Sequence, residues 1–82
     1  MKIENLEQLE DSLRYLKNVR ERLRIYEIYR ERAEKGEGGF SLTQNGNRVL
    51  EFSNEEVLFL LREKIFKAKQ REMELIREIE AL

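Results

Sequence analysis

The chain has 82 residues, 40% of them charged, with 16 basic against 17 acidic side chains and a formal net charge of −1. It holds neither Cys nor His, which removes disulfides, thiolate metal sites, thiol nucleophiles, and the commonest metal ligand and general base. The length makes a single domain over residues 1–82, and a chain this small buries only a little over ~60% of its unfolded surface. Of the usual staples for a small scaffold, only association with another chain is left.

The charges are mixed locally as well as globally. Residues 1–35 carry nine basic and eight acidic side chains, and residues 53–82 carry six and seven. No block of one sign steers nucleic acid or an anionic membrane. The longest apolar run, Val57-Leu58-Phe59-Leu60-Leu61, is far short of the ~20 residues that span a bilayer. The opening Met1-Lys2-Ile3-Glu4-Asn5 lacks the apolar core of a signal peptide. A cytoplasmic location is the expectation.

The first element is a helix over about residues 4–35, a stretch without Gly or Pro and rich in Leu, Glu, Arg and Lys. Leu6, Leu9, Leu13, Leu16 and Leu23 recur at heptad-like spacing and predict a seam. Beyond Val19 the apolar arc widens: Val19, Leu23 and Tyr26 continue one stripe, while Ile25, Ile28 and Tyr29 lie on other sides. Gly36, just past the basic Lys35, predicts the stop. Gly36, Gly38 and Gly39 read as a flexible joint.

Residues of about 39–52 predict a β-hairpin around Asn45-Gly46, the strongest short-range hairpin signal. Two registers compete. A two-residue turn pairs Leu42 with Val49 but Phe40 with Glu51. A three-residue loop, Asn45 to Asn47, pairs Leu42 with Leu50 and Phe40 with Phe52. The second keeps the apolar set on one face and is preferred, although turn chemistry favours the first.

A second helix is predicted over about residues 54–82, opened by a capping box of Ser53 with Glu56. Leu58, Leu61, Ile65, Ala68, Leu75, Ile79 and Leu82 fill heptad a and d positions, with Glu72 breaking the series. Phe59, Phe66, Met73 and Ile76 make a second stripe on a neighbouring face. The fold class is thus mainly α: a long antiparallel helical hairpin with a β-hairpin inserted between the helices.

A lone helical hairpin hides one narrow stripe per helix, and this chain carries more. Leaving the second stripe in water forgoes roughly 1.5–3 kcal/mol per large side chain. The pattern therefore predicts a homo-oligomeric helical bundle, a dimer most simply or a larger ring, with Leu58, Phe59, Leu61, Ile65, Phe66, Met73, Ile76 and Ile79 at the interface. The alternative is that the β-hairpin folds back over the stripe within one chain.

No pattern of catalysis stands out, and the chain reads as non-enzymatic, without cofactor or metal. Gly36-Glu37-Gly38-Gly39 is not followed by Lys and Ser or Thr, so it is no phosphate loop. Asp11 is the only Asp, which excludes an EF-hand. Glu72 at a core-type position either meets its copy across a symmetry axis and holds a cation, or reaches solvent, Lys69 or Arg71. Tyr26, Tyr29, Arg30, Arg32 and Arg48 are the candidate partner- or ligand-binding residues. Tyr and Arg together are enriched at binding hot spots and can hold phosphates. The plainer reading covers a bundle end with the tyrosines and pairs the arginines locally, as Glu27 with Arg30 and Glu21 with Arg24. Lys64, Lys67 and Arg71 form a basic strip that reads first as a solvated face, with Glu63 paired to Lys67. Helix-turn-helix spacing is absent, so nucleic acid is an unfavoured partner.

In general build, short, without Cys or His, and helix–hairpin–helix, the chain resembles small accessory proteins of phages and mobile elements. The leading functional reading is an interaction module, accessory or inhibitor-like, that presents its hairpin and Tyr/Arg end to another protein. The alternative is an oligomeric binder of a small anionic ligand such as a nucleotide at subunit junctions. Phage proteins that sequester defence-signalling nucleotides follow that logic. A weak nucleic-acid binder comes third.

Overall fold

The computed structural model describes residues 3–37 and 39–82. Gly38, the middle glycine of the expected joint, and Met1 and Lys2 lie outside the described residues. The order of elements is helix α1 (Ile3–Glu34), strands β1 (Phe40–Gln44) and β2 (Asn47–Phe52), and helix α2 (Asn54–Glu80). The chain is mainly helical, with a two-stranded antiparallel hairpin between the two helices.

Each junction is set by local chemistry that the sequence announces. Gly36 takes φ +68°, a conformation costly for residues with a Cβ. Its N–H donates to the Ala33 carbonyl at 3.1 Å, and the Glu37 N–H donates to the Arg32 carbonyl at 3.0 Å. That pair of bonds is a Schellman motif, which satisfies carbonyls the ending helix would leave bare. At the start of α2 the Glu56 N–H donates to Ser53 Oγ and the Ser53 N–H donates to Glu56 Oε1, both at 3.1 Å. The capping box is complete.

The hairpin resolves the competing registers in an unexpected way. Asn45 and Gly46 have φ of 52° and 78°, positive at both central positions as a type I′ turn requires. Gln44 therefore pairs with Asn47 and Thr43 with Arg48, so the expected three-residue loop does not form. Val49 is then left without a partner as a β-bulge, and beyond it Leu42 pairs with Leu50 and Phe40 with Phe52. The tight turn wins at the tip, and one extra residue restores the apolar pairing that a one-residue slip would have lost. The Phe40 ring meets Tyr29 of α1 edge-on, centroids 6.2 Å apart and planes at 74°, which ties the base of the hairpin to the helix.

The two helices pack against each other along most of their length, and the core lies in their seam. α2 supplies Val57, Ile65 and Leu75, the last fully buried, and α1 supplies Leu16, Leu23 and Ala33. On α1 the seam is displaced from the leucine row that spacing predicts. Leu9, Leu16 and Leu23 face inward, but Leu6 and Leu13 are about half exposed. Their places are taken by Asn5 and by Ser12, which is only 5% exposed. Leu9, Leu16 and Leu23 form one row of seven-residue steps and Leu6 and Leu13 another, each running into an arginine, Arg30 and Arg20, so the setting of α1 against α2 selects the row. A small residue at position 12 also lets the helix backbones approach.

The resulting body measures 51 × 28 × 15 Å, with a radius of gyration of 17.2 Å. A compact domain of this length has a radius of about 12 Å. Its accessible surface is 6872 Å², where a compact monomer of the same mass exposes roughly 5,200 Å². The chain is a slab little more than one helix thick, with no second layer over its apolar flanks.

Candidate interaction surfaces

The residues expected at an interface divide into two sets. Ile65 is buried within the chain, and Leu58, Leu61, Ile76 and Ile79 are half-buried. They are largely spent on the seam with α1. Phe59, Phe66 and Met73 are instead 67%, 64% and 54% exposed. Seven residues apart, they stand in one row on the outer flank of α2. The β-hairpin does not fold back over that row. Its own Leu42, Val49 and Leu50 are each about half exposed, and both strands keep a free edge.

The Tyr/Arg residues are not gathered into one site. Tyr26 is half-buried, and Tyr29 is exposed with Arg32 over its ring, 5.7 Å from the centroid. Arg30 is turned to Glu34 at 3.9 Å rather than to Glu27. Arg48 meets Glu51 at 3.3 Å beside the strands. Tyr26 and Tyr29 share a cleft of about 420 Å³ with Ile25, Phe40, Phe52 and Leu61, so the tyrosines cover the apolar joint between hairpin and helices. No Glu21–Arg24 pair forms among the described residues.

Glu72 is engaged by Arg20, whose Nε donates to Oε2 at 3.1 Å. The described residues hold no group of three or more His, Cys, Asp and Glu side chains placed to bind a metal. Among them, too, no helix is long and apolar enough to cross a membrane. A hydrogen bond from Lys35, reinforced by its charge, lowers the Glu31 carboxyl below the usual carboxylate value, with Nζ and Oε1 2.9 Å apart.

One grouping escapes a reading of either helix alone. Val19, Arg22 and Tyr26 of α1 and Lys64, Lys67, Ala68 and Arg71 of α2 line a groove of about 230 Å³. Arg22 and the three-residue basic strip are each visible in the sequence. That they share a groove depends on how the helices are set against each other. Arg20 sits level with Glu72, and that alignment brings Arg22 opposite the strip. The expected Glu63–Lys67 pair is not formed among the described residues.

No family model matches this sequence, and no curated protein or solved structure matches it either.

Proposed function

We propose that this chain is a non-enzymatic, cytoplasmic interaction module that works as a homo-oligomer and presents its β-hairpin end to another protein. The observation that carries the reading is the exposed row of Phe59, Phe66 and Met73 on a helix whose opposite flank is already packed. Burying each of these side chains against a copy is worth roughly 1.5–3 kcal/mol. Two α2 helices laid side by side form a four-helix bundle from two chains, the smallest closed assembly; a larger ring uses the same row. The surplus of exposed surface over a compact monomer is roughly 1,600 Å² per chain, so two chains carry roughly 3,200 Å², within the range that obligate homodimers bury.

The hairpin supports the second half of the reading. Leu42 and Leu50 form a cross-strand apolar pair that points to solvent, and free strand edges offer main-chain donors and acceptors to an added strand. A cytoplasmic setting suits a chain with no cysteine to oxidise.

Sedimentation at micromolar concentration tests the assembly. The expected species is a multiple of the 10.0 kDa chain, and Phe59→Ser with Phe66→Ser is expected to return it to one chain with its helical circular dichroism kept. A wild-type protein that sediments as a single chain and melts cooperatively would overturn the reading.

A further inference from the structure

We propose that the groove lined by Arg22, Tyr26, Lys64, Lys67 and Arg71 binds an oligophosphate group, of the kind carried by a nucleoside triphosphate. Four cations from two helices line one groove of about 230 Å³, and no carboxylate lines it with them. Arg22, Lys64 and Lys67 have no acidic partner within ion-pair distance among the described residues. Arg71 is held from its own helix by Glu74 at 3.2 Å and Glu78 at 3.7 Å. These glutamates orient its guanidinium without entering the groove. Positions flanking a helix–helix seam ordinarily carry opposite charges across it. Here like charges face each other, which costs stability unless an anion sits between them.

The shape narrows the ligand. Val19 and Ala68 give the groove an apolar floor, and half-buried Tyr26 forms a wall at one end. The volume is below the range of pockets that enclose a whole drug-sized ligand, about 300–1,000 Å³. It suits a short chain of phosphoryl groups, met by the guanidinium groups of Arg22 and Arg71 and by the ammonium point charges of Lys64 and Lys67. A nucleic-acid strand asks for something else: a continuous basic track with several aromatics in series. This groove has one aromatic, and a net charge of −1 gives a long polyanion little attraction beyond the groove.

The site is independent of the proposed assembly. At about 100° per residue, Lys64, Lys67 and Arg71 lie on one flank of the α2 seam, and Phe59, Phe66 and Met73 lie on the other. Packing that row against a copy leaves the groove open, so a failure of either idea leaves the other standing.

The test titrates the full chain at low salt with inorganic triphosphate, with ATP, and with a single-stranded RNA oligonucleotide, following backbone amide shifts. Both phosphate compounds are expected to shift residues around 22, 26, 64, 67 and 71. Lys64→Gln with Lys67→Gln is expected to weaken binding by about tenfold or more, the loss of two charge-assisted contacts. Lys17→Gln with Arg24→Gln, on the opposite flank of α1 in a groove that also holds Glu21, is expected to leave binding unchanged. Equal affinity for triphosphate and ATP supports a site that reads phosphate alone; tighter ATP supports a base lying on Tyr26. The melting temperature without ligand is expected to stay level or rise in the lysine variant as like charges are removed. No shift with either phosphate compound, unchanged binding in the lysine variant, or a lowered melting temperature would overturn the proposal. RNA bound more tightly than triphosphate, with steep salt dependence, would also overturn it, in favour of a strand.

Discussion

Arg20 and Glu72 stand 52 positions apart in the chain and meet at 3.1 Å, Nε to Oε2, in the one ion pair among the described residues that joins α1 to α2. Glu72 occupies a seam position that heptad spacing assigns to an apolar side chain. Its side chain keeps 26% of its surface in contact with solvent, and that of Arg20 keeps 58%. The pair therefore lies at the edge of the core, where ion pairs are worth about 0–1 kcal/mol. Arg20→Met is expected to cost no more than that in urea unfolding. Glu72→Leu is expected to raise stability by about 1 kcal/mol through added burial, because Arg20 is too exposed to be left as a stranded charge. It completes an unbroken apolar row, so it is also expected to broaden the range of species in sedimentation, as loss of a polar seam residue relaxes register. A destabilised Glu72→Leu protein would show that the pair is worth more than its exposure allows.

The seam of α1 makes a less intuitive claim. Ser12 is buried where leucine spacing asks for Leu13. Leucine is more apolar than serine and a better helix former, yet Ser12→Leu is expected to destabilise by about 1–3 kcal/mol, because the site has no room for three further carbons. Ser12→Ala is expected to be nearly neutral, and Leu16→Ala to cost about 2–5 kcal/mol as a cavity in the seam. Chemical denaturation of the three variants under one condition checks the order. A stabilising Ser12→Leu would mean that the seam at position 12 has more room than the burial of Ser12 implies.

These two cases show where sequence reasoning reached and where it stopped. The signals that start and stop elements were legible: Gly36 as a stop, Asn45-Gly46 as a turn, Ser53 with Glu56 as a cap. The exposed row of Phe59, Phe66 and Met73 could also be read, since it depends only on the periodicity of one helix. Features that depend on the setting of one helix against the other could not. Leu6–Leu13 and Leu9–Leu16–Leu23 are both seven-residue rows, and packing alone decides between them. The partner of Glu72 and the shared groove of Arg22 with Lys64 follow from the same alignment. The hairpin failed differently: turn chemistry and apolar pairing demanded different registers, and a bulge at Val49 satisfied both.

The joint between α1 and the hairpin offers a matched pair of substitutions. At Gly36, with φ +68°, an added Cβ would meet Asn54 Nδ2 at 3.8 Å, an ordinary contact. Gly36→Ala is thus expected to cost about 1 kcal/mol, from the backbone alone. Gly39 has no positive φ and nothing within 4 Å of an added Cβ. Gly39→Ala is expected to stabilise by about 0.4–1 kcal/mol, by narrowing the unfolded ensemble. Thermal melts of the two variants should move in opposite directions; a Gly36→Ala protein that melts no lower than wild type would mean that the Schellman turn is not what ends α1.

Glu31 and Lys35 give the fold a small dependence on pH whose direction is fixed. The Lys35 ammonium donates to Glu31 and holds its carboxyl below the usual value. A carboxyl more acidic in the folded state than in the unfolded one adds stability that is fully present above the unfolded value. That stability is lost as pH falls through the folded value. Lys35→Met is expected to bring the Glu31 titration back up to the ordinary carboxylate range, as read from its side-chain carboxyl carbon by NMR. The stability gap between wild type and variant should narrow as pH falls through the carboxylate range, and narrow with added salt at neutral pH. A remainder at low pH is expected, because Lys35 also faces the negative end of the α1 dipole whether or not Glu31 is charged. A gap that stays constant on acidification would assign the role of Lys35 to the helix end alone, and one that widens would reverse the sign of the linkage.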